Sequence, residues 1–432
     1  MTSTIIRSLH GQQILDSRGR PTVEAEVELV NGTRARASVP SGASTGSAEA
    51  HELRDRIPEK YEGRGVLTAV AHIETTIAKF LQGKDALDQL QIDESMLQFD
   101  GTTNLQRLGA NAVLAVSLAT CRAAASAQNL PVYLWIAELF GNKEISLPLP
   151  MVNILSGGLH ARGGMDVQDF LFMPRADSIE EAVQLSVRVR SAADEVANEY
   201  GLSTLLADEG GLSPGFANGR EALEMMLVSF ERAGLKPGRD AFIALDFAAS
   251  SLLNEEGQYN FSNEGRTYTS AELTDLVESW ANEFPILSVE DPLGEEDWTA
   301  WQSLTTRLTT QLQIVGDDLF ATNLSRLRKG ISAVVANSVL IKPNQNGTLT
   351  GTLDVIREAR MNGYTTIVSA RSGETEDNFM ADLAVGTSAH QIKIGSVRGS
   401  ERLSKYNQLL RIEAQGVPFG GSTAGTGLKR GE

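Results

Sequence analysis

Hydrophobic and polar residues alternate near the beginning of the chain. Residues 22–29 place four apolar side chains on one face and three glutamates on the other. A period of two predicts a strand with one buried face and one solvent-exposed face. Asn31 and Gly32 then predict a tight hairpin turn, and residues 33–39 predict the returning strand.

Helical spacing of apolar residues follows this hairpin. Residues 66–81 and the alanine-rich residues 108–127 combine that spacing with good helix formers. Strands followed by helices predict a small α+β domain, which we assign to residues 1–140.

Residues 141–432 have a different pattern, in which short apolar and β-branched runs recur between helical segments. Strands that are buried on both faces of a parallel sheet have this composition. The runs are residues 242–246, 286–292, 314–318, 338–342, 366–371 and 391–395. Nearly every run ends in a charged residue, namely Asp246, Glu290, Asp317, Lys342, Arg371 or Lys393. Functional groups at successive strand ends are typical of a (β/α)8 barrel enzyme, so an α/β fold is predicted.

The net charge of the chain limits the classes of ligand that it is expected to bind. The formal net charge is −17, which argues against nucleic acid as a ligand because its phosphates need a basic surface. An anionic substrate would have to be attracted by local cations, since the overall field repels it.

The cysteine content and the first residues of the chain indicate the cellular compartment. Cys121 is the single cysteine, so no intramolecular disulfide is possible. The first residues lack a basic start followed by an apolar run, and no stretch is expected to cross a membrane. We therefore expect a cytoplasmic protein with no membrane partner.

Three of the strand-end residues are carboxylates: Asp246, Glu290 and Asp317. Converging carboxylates repel one another unless a cation lies among them, and oxygen ligands without cysteine or histidine favour Mg²⁺ over zinc. The alternative is that each acid caps the helix that follows its strand. Three such acids in succession favour the metal site.

Two strand-end lysines complete the set. A divalent cation and a second lysine nearby would lower the pKa of Lys342 or Lys393, so that one of them acts as a general base. The alternative is a pair of salt bridges at the barrel rim.

Arg371 with Ser372 suits a phosphate or phosphonate group. Residues 41–46 are either a loop that closes over the barrel or an ordinary surface loop.

The chain resembles the enolase family over essentially its full length. The matching stretches begin at Ile14, Gly42, Asp208, Ala244, Val289, Val315, Asn344, Arg371 and Lys405, and read ILDSRG, GASTG, DEGG, ALD, VEDPL, VGDDL, NQ, RSGETED and KYNQLLRIE. The resemblance implies an enolase-type barrel with an N-terminal capping domain, two Mg²⁺ ions, and a homo-oligomer, either a dimer or an octamer.

The resemblance also implies roles for individual residues. Lys342 would remove the proton next to the substrate carboxylate, Glu209 would protonate the departing hydroxyl, and Asp169 and Lys393 would complete the catalytic set. The remaining roles are a first metal ion on Asp246, Glu290 and Asp317, a second on Ser44, and substrate contacts from His160, Gln168, Lys393, Arg371 and Ser372.

Several positions depart from the family pattern. Ala370 stands where the family has histidine, Asp169 where it has glutamate, and Arg162 where it has aspartate. Ile394 and Asn346 also differ from the family residues. The departures cluster on the acid and phosphate side, while the base and metal ligands remain. This pattern favours a diverged member that keeps the chemistry and has changed its substrate.

Three functions remain open from the sequence. The first is a lyase for a larger, more negative phosphorylated or phosphonate acid, as in carboxyphosphonoenolpyruvate synthase of phosphonate antibiotic assembly, for which Arg162 and Ala370 supply charge and room. The second is a housekeeping phosphopyruvate hydratase. The third is a non-enzymatic binding protein, which the retained Lys342, Glu209 and metal acids argue against.

Overall fold

The N-terminal part is built on a three-stranded antiparallel sheet. The structure is a computed structural model that describes residues 3–43, 46–161 and 164–421. The strands follow the order β1 (Ile6–Leu15), β2 (Pro21–Leu29) and β3 (Arg34–Ser38). All four apolar side chains predicted on one face of β2 are fully buried. In the turn Gly32 has a φ of 88°, which glycine adopts without steric cost.

Helices cover the buried face of this sheet. They are α1 (Leu67–Ala71) and α2 (Ala78–Leu81), joined by a π-helical segment (His72–Ile77), then α3 (Gln89–Asp100), α4 (Ala110–Ala127) and α5 (Val132–Phe140). By length and composition α4 could cross a membrane, which corrects the expectation that no stretch could do so. However, 83% of α4 is buried within the fold, where it packs against β2 and β3.

Eight strands then close into a barrel, as predicted. They are β4 (Leu149–Ser156), β5 (Asp169–Pro174), β6 (Ala241–Asp246), β9 (Ile286–Glu290), β10 (Gln313–Gly316), β11 (Ser338–Ile341), β12 (Thr365–Ser369) and β13 (Gln391–Gly395). A short hairpin of β7 (Tyr259–Phe261) and β8 (Arg266–Tyr268) lies outside the barrel. A cluster of buried apolar side chains, including Leu171, Val315 and Leu340, fills the barrel interior.

The second barrel strand runs against the others. β5 pairs antiparallel with both β4 and β6, whereas the other barrel pairs are parallel. Asp169 at the beginning of β5 therefore lies opposite Ser156 and Asp246, which end their strands. The reversal brings the first residue of β5 to the same mouth as the last residues of the other strands.

Helices surround the barrel. They are α6 (Ile179–Glu199), α7 (Gly219–Arg232), α8 (Ser270–Glu283), α9 (Trp298–Leu308), α10 (Leu324–Ala333), α11 (Pro343–Asn346), α12 (Leu349–Met361), α13 (Phe379–Gly386) and α14 (Ser400–Glu413). Two of them, α6 and α7, stand between β5 and β6 and pack against each other. The first helix leads from the reversed strand back towards the mouth, and the second leads away from it.

Candidate active site

A small cavity opens at the mouth of the barrel. Its walls bring together most of the residues that the sequence indicated: His160, Gln168, Glu209, Asp246, Asp317, Lys342, Arg371, Ser372 and Lys393. Asp169 and Glu290 join them through hydrogen bonds to His160 and Lys393. Two predicted residues, Ser44 and Arg162, lie outside the described residues.

Lys393 lies between two of the predicted metal ligands. Its Nζ is 2.7 Å from Oδ2 of Asp246 and 2.8 Å from Oε2 of Glu290, and all three side chains are buried. Burial alone would lower the pKa of Lys393, but the two carboxylates outweigh burial and raise that pKa well above its ordinary value. Lys393 also lies within β13, two residues before its end, rather than at the strand terminus that the sequence indicated.

Lys342 forms a second buried ion pair. Its Nζ lies 2.5 Å from Oδ2 of Asp317. Burial lowers the pKa of Lys342, yet Asp317 outweighs burial and the net direction is upward. The lowered lysine pKa that the sequence analysis expected depends on a divalent cation beside the amine, so it stays a prediction.

The three predicted metal acids share one mouth, but lysines stand among them. Asp246 and Glu290 meet through Lys393, while Asp317 pairs with Lys342. One buried acceptor is left over, since Oε1 of Glu290 has no hydrogen-bond partner among the described residues. Burial and the nearby Asp246 raise the pKa of Glu290 well above its usual range. An unpaired carboxylate oxygen in a site of hard oxygen ligands fits a cation such as Mg²⁺.

A tighter acidic cluster lies beside this set. The ligand atoms of Asp291, Asp317 and Asp318 lie within 4.8 Å of one another. The carboxylate of Asp291 accepts the backbone N–H groups of Asp317 (2.9 Å) and Asp318 (2.7 Å). Burial and Asp317 raise the pKa of Asp318 to about 7. The sequence analysis gave no role to Asp291 or Asp318. Each nevertheless directly follows a predicted metal ligand in the sequence, so that the two acids form a consecutive pair.

On the opposite wall, an imidazole lies between two carboxylates. Nδ1 of His160 is 3.0 Å from Oδ2 of Asp169, and Nε2 is 3.8 Å from Oε1 of Glu209. Burial alone would lower the pKa of His160, but these two acids raise it to about 9. Asp169 is itself held by Ser156 Oγ at 3.0 Å and Asn153 Nδ2 at 2.5 Å. Neither of these two supports was identified from the sequence.

Glu209 reaches the mouth from the connection between α6 and α7 rather than from a strand end. The connection is fastened to β4, because Leu212 donates to Ile154 (2.8 Å) and accepts from Ser156 (2.7 Å). Burial raises the pKa of Glu209, but His160 and other nearby cations outweigh it and lower the pKa to about 2. The nearby cations therefore favour the ionised form of the Glu209 carboxylate.

Arg371 and Ser372 form the third wall, where the N-terminal part meets the barrel. Ser41 and Gly373 exchange backbone hydrogen bonds of 2.8 and 3.0 Å across this boundary. Arg18 donates to Oγ of Ser372 at 3.2 Å. Ala370 contributes a small apolar wall beside Arg371. The buried guanidinium of Arg371, the hydroxyl group of Ser372 and the amine of Lys342 in the same cavity make this wall suitable for an anionic substrate group.

Family models match nearly the whole chain. Residues 6–136 match the model described as the N-terminal domain of enolase. Residues 144–426 match the model described as the C-terminal TIM barrel domain of enolase. The two matches agree with a barrel that carries an additional N-terminal sheet and its helices.

Proposed function

The chain belongs to the enolase family, a family of lyases, and we propose that it eliminates water from a 2-phosphoglycerate-like acid that carries a carboxyphosphono group. The product would be the corresponding enolpyruvate, as in carboxyphosphonoenolpyruvate synthase. The single observation that carries this choice of substrate is the small wall at Ala370, beside the buried Arg371.

Lys342 is the proposed base. It lines the cavity, and its ion pair with Asp317 fixes the position of the amine. A neutral amine at that position can accept the proton from the carbon next to the substrate carboxylate. Because Asp317 favours the ammonium form, Lys342 must lose a proton before it can act.

Glu209 and His160 are proposed to act together on the leaving hydroxyl group. An ionised Glu209 cannot itself donate a proton, whereas His160, with a pKa of about 9, holds one at neutral pH. Nε2 of His160 faces Glu209, and Asp169 holds the other ring nitrogen. We therefore propose that Glu209 protonates the departing hydroxyl group, as the resemblance implies, with a proton that it receives from the imidazolium of His160.

Asp246, Glu290 and Asp317 are the residues proposed to hold a first Mg²⁺. The unpaired Oε1 of Glu290 supports this assignment, because a cation would satisfy a buried acceptor. When bound, Mg²⁺ supplies positive charge that stabilises an enolate formed next to a carboxylate. A second Mg²⁺ is proposed at Ser44, which lies outside the described residues.

The choice of substrate is tested by steady-state kinetics on 2-phosphoglycerate and on its carboxyphosphono counterpart. We expect wild type to favour the larger substrate by about tenfold or more in kcat/KM, which corresponds to about 1.4 kcal/mol in the transition state. Ala370→His should remove that preference, because the larger side chain would occupy the space beside Arg371. Arg162→Asp should weaken it by removing a cation.

Two results would contradict the substrate assignment. Dehydration of 2-phosphoglycerate by wild type at roughly 10⁴ M⁻¹s⁻¹ or above would indicate a housekeeping phosphopyruvate hydratase. No turnover of either substrate, with Mg²⁺ present, would indicate a binding protein.

A further inference from the structure

A buried carboxylate from the N-terminal part contacts the arginine of the substrate wall. Oε2 of Glu49 lies 3.0 Å from Nη1 of Arg371, and Oε1 lies 3.2 Å from Nη2. The two side chains are only 7% and 4% exposed. Two parallel hydrogen bonds fix the plane of a guanidinium group as well as its position. Glu49 therefore helps to set where the guanidinium of Arg371 points, together with Asn344, whose Oδ1 accepts a hydrogen bond from Nη1 at 3.3 Å.

Glu49 approaches Arg371 from outside the catalytic cavity. It lines a neighbouring cavity whose walls come from the segment that carries Glu49, from the beginning of α4 and from Asn344, and which Arg371 does not line. Conversely, Arg371 lines the catalytic cavity and Glu49 does not. The contact between Glu49 and Arg371 therefore lies at the boundary between the two cavities.

The same carboxylate is connected to the proposed base. Nε2 of Gln345 donates to Oε1 of Glu49 (3.3 Å) and to Oδ1 of Asp317 (3.0 Å). The amide orientation is set by Thr322, whose hydroxyl donates to Oε1 of Gln345 at 2.7 Å. Since Asp317 pairs with Lys342, one continuous polar network joins Glu49 to the base.

Glu49 also fastens its own segment. Its Oε1 accepts the backbone N–H of Gly46 at 3.0 Å, and Ala50 N–H donates to the backbone carbonyl of Gln345 at 2.9 Å. Burial of Glu49 against Arg371 thus accompanies the docking of residues 46–50 on the barrel.

We propose that Glu49 is a positioning residue that ties the orientation of Arg371, and through Gln345 that of Lys342, to the docking of residues 46–50. The inference rests on the proposed function in one respect, namely that Arg371 receives the anionic phosphorus group. It predicts that the phosphate wall is correctly formed only while Glu49 is in place.

The test measures the affinity of the full chain for inorganic phosphate by calorimetry with Mg²⁺ present, and the rate of α-proton exchange of 2-phosphoglycerate in deuterated water. Glu49→Gln should weaken phosphate binding about tenfold or more and slow exchange, because misplacement by about 1 Å can cost on the order of a hundredfold. Glu49→Asp, which keeps the charge, should recover part of both losses.

Glu52→Gln is the matched control. Glu52 lines the same outer cavity and belongs to the same segment, but it pairs with Arg54 and Ser41. This variant should leave phosphate affinity and proton exchange unchanged.

Three results would overturn the proposal. Tighter phosphate binding by Glu49→Gln would show that Glu49 competes with the substrate. A lower Tm with unchanged affinity and exchange would show a purely structural ion pair. Absence of phosphate binding by wild type would show that Arg371 receives no such group. By contrast, phosphate binding without turnover of either acid would contradict the proposed function and leave the role of Glu49 measurable.

Discussion

Nδ1 of His160 lies 3.0 Å from Oδ2 of Asp169, with both side chains buried in the wall of the catalytic cavity. The pair places an imidazolium ion next to a carboxylate where water is excluded. Its charge state should therefore affect stability as well as catalysis.

Folding stability should depend on pH through His160. The pKa of His160 is raised from an ordinary value of 6.5 to about 9, so the folded protein binds the proton more tightly than the unfolded chain. This stabilisation is fully present below pH 6.5 and is lost as the pH rises through 9. It amounts to roughly 3.5 kcal/mol at most, since the pKa rises from 6.5 to about 9 and one pKa unit corresponds to about 1.4 kcal/mol.

Chemical denaturation of wild type and His160→Gln between pH 6 and 9.5 measures this effect. The difference in unfolding free energy between the two should shrink as the pH rises. His72→Gln serves as the control, because the ring of His72 is hydrogen-bonded to the backbone carbonyl of Leu108 and forms no ion pair with a carboxylate among the described residues. A constant difference across this pH range would show that His160 is not the group that titrates.

Removing the proposed base should stop proton exchange. Lys342→Ala should abolish exchange of the substrate α-proton with deuterated water, because no other described side chain is assigned to accept it. The rate is followed by NMR. Lys329→Ala removes an exposed lysine that stacks on Trp298 and should exchange at the wild-type rate. Wild-type exchange by Lys342→Ala would mean that the base has been misassigned.

Mg²⁺ affinity should depend on Glu290. Glu290→Gln replaces a charged ligand by an amide and should weaken Mg²⁺ binding by about a hundredfold or more, since loss of even an indirect metal contact costs 10–100-fold. Calorimetric titration of the metal-free protein provides the measurement. A chelator should also abolish turnover.

Glu296→Gln provides the comparison for the metal experiment. Glu296 is an exposed acid that pairs with Arg326 in the loop after β9. Its substitution should leave Mg²⁺ affinity unchanged. Equal affinity in wild type and Glu290→Gln would remove Glu290 from the ligand set.

Six of the barrel strands were predictable from the sequence because each is a short apolar run that ends near a charge. Two strands were missed. β4 contains Pro150 and Asn153, which interrupt its apolar run. β5 begins with its acid, Asp169, so the expected order of apolar run and then charge is reversed. In a reversed strand, the functional residue precedes the apolar run instead of following it.

Contacts between distant parts of the chain could not be predicted. The sequence indicated Lys342, Lys393 and Arg371, but not that their ordinary charge partners would be Asp317, Asp246 and Glu49. Spacing along the chain does not determine which carboxylate meets which cation. These pairings appear only when the barrel closes and the N-terminal segment reaches its rim.

The reversal of β5 also limits how this chain can be recombined with other barrels. In a barrel of uniform strand–helix units, a chimaera can be joined after any helix, since each unit leaves the chain where the next one begins. Here a junction between β4 and β5, or between α6 and α7, would leave the following strand pointing the wrong way. A junction after His160 and before β5 would separate the imidazole from Asp169 and Glu209, and one after α6 and before Glu209 would separate the imidazole and Asp169 from Glu209. Residues 149–232 therefore form a single block for inheritance and for engineering, which is exchanged whole or not at all.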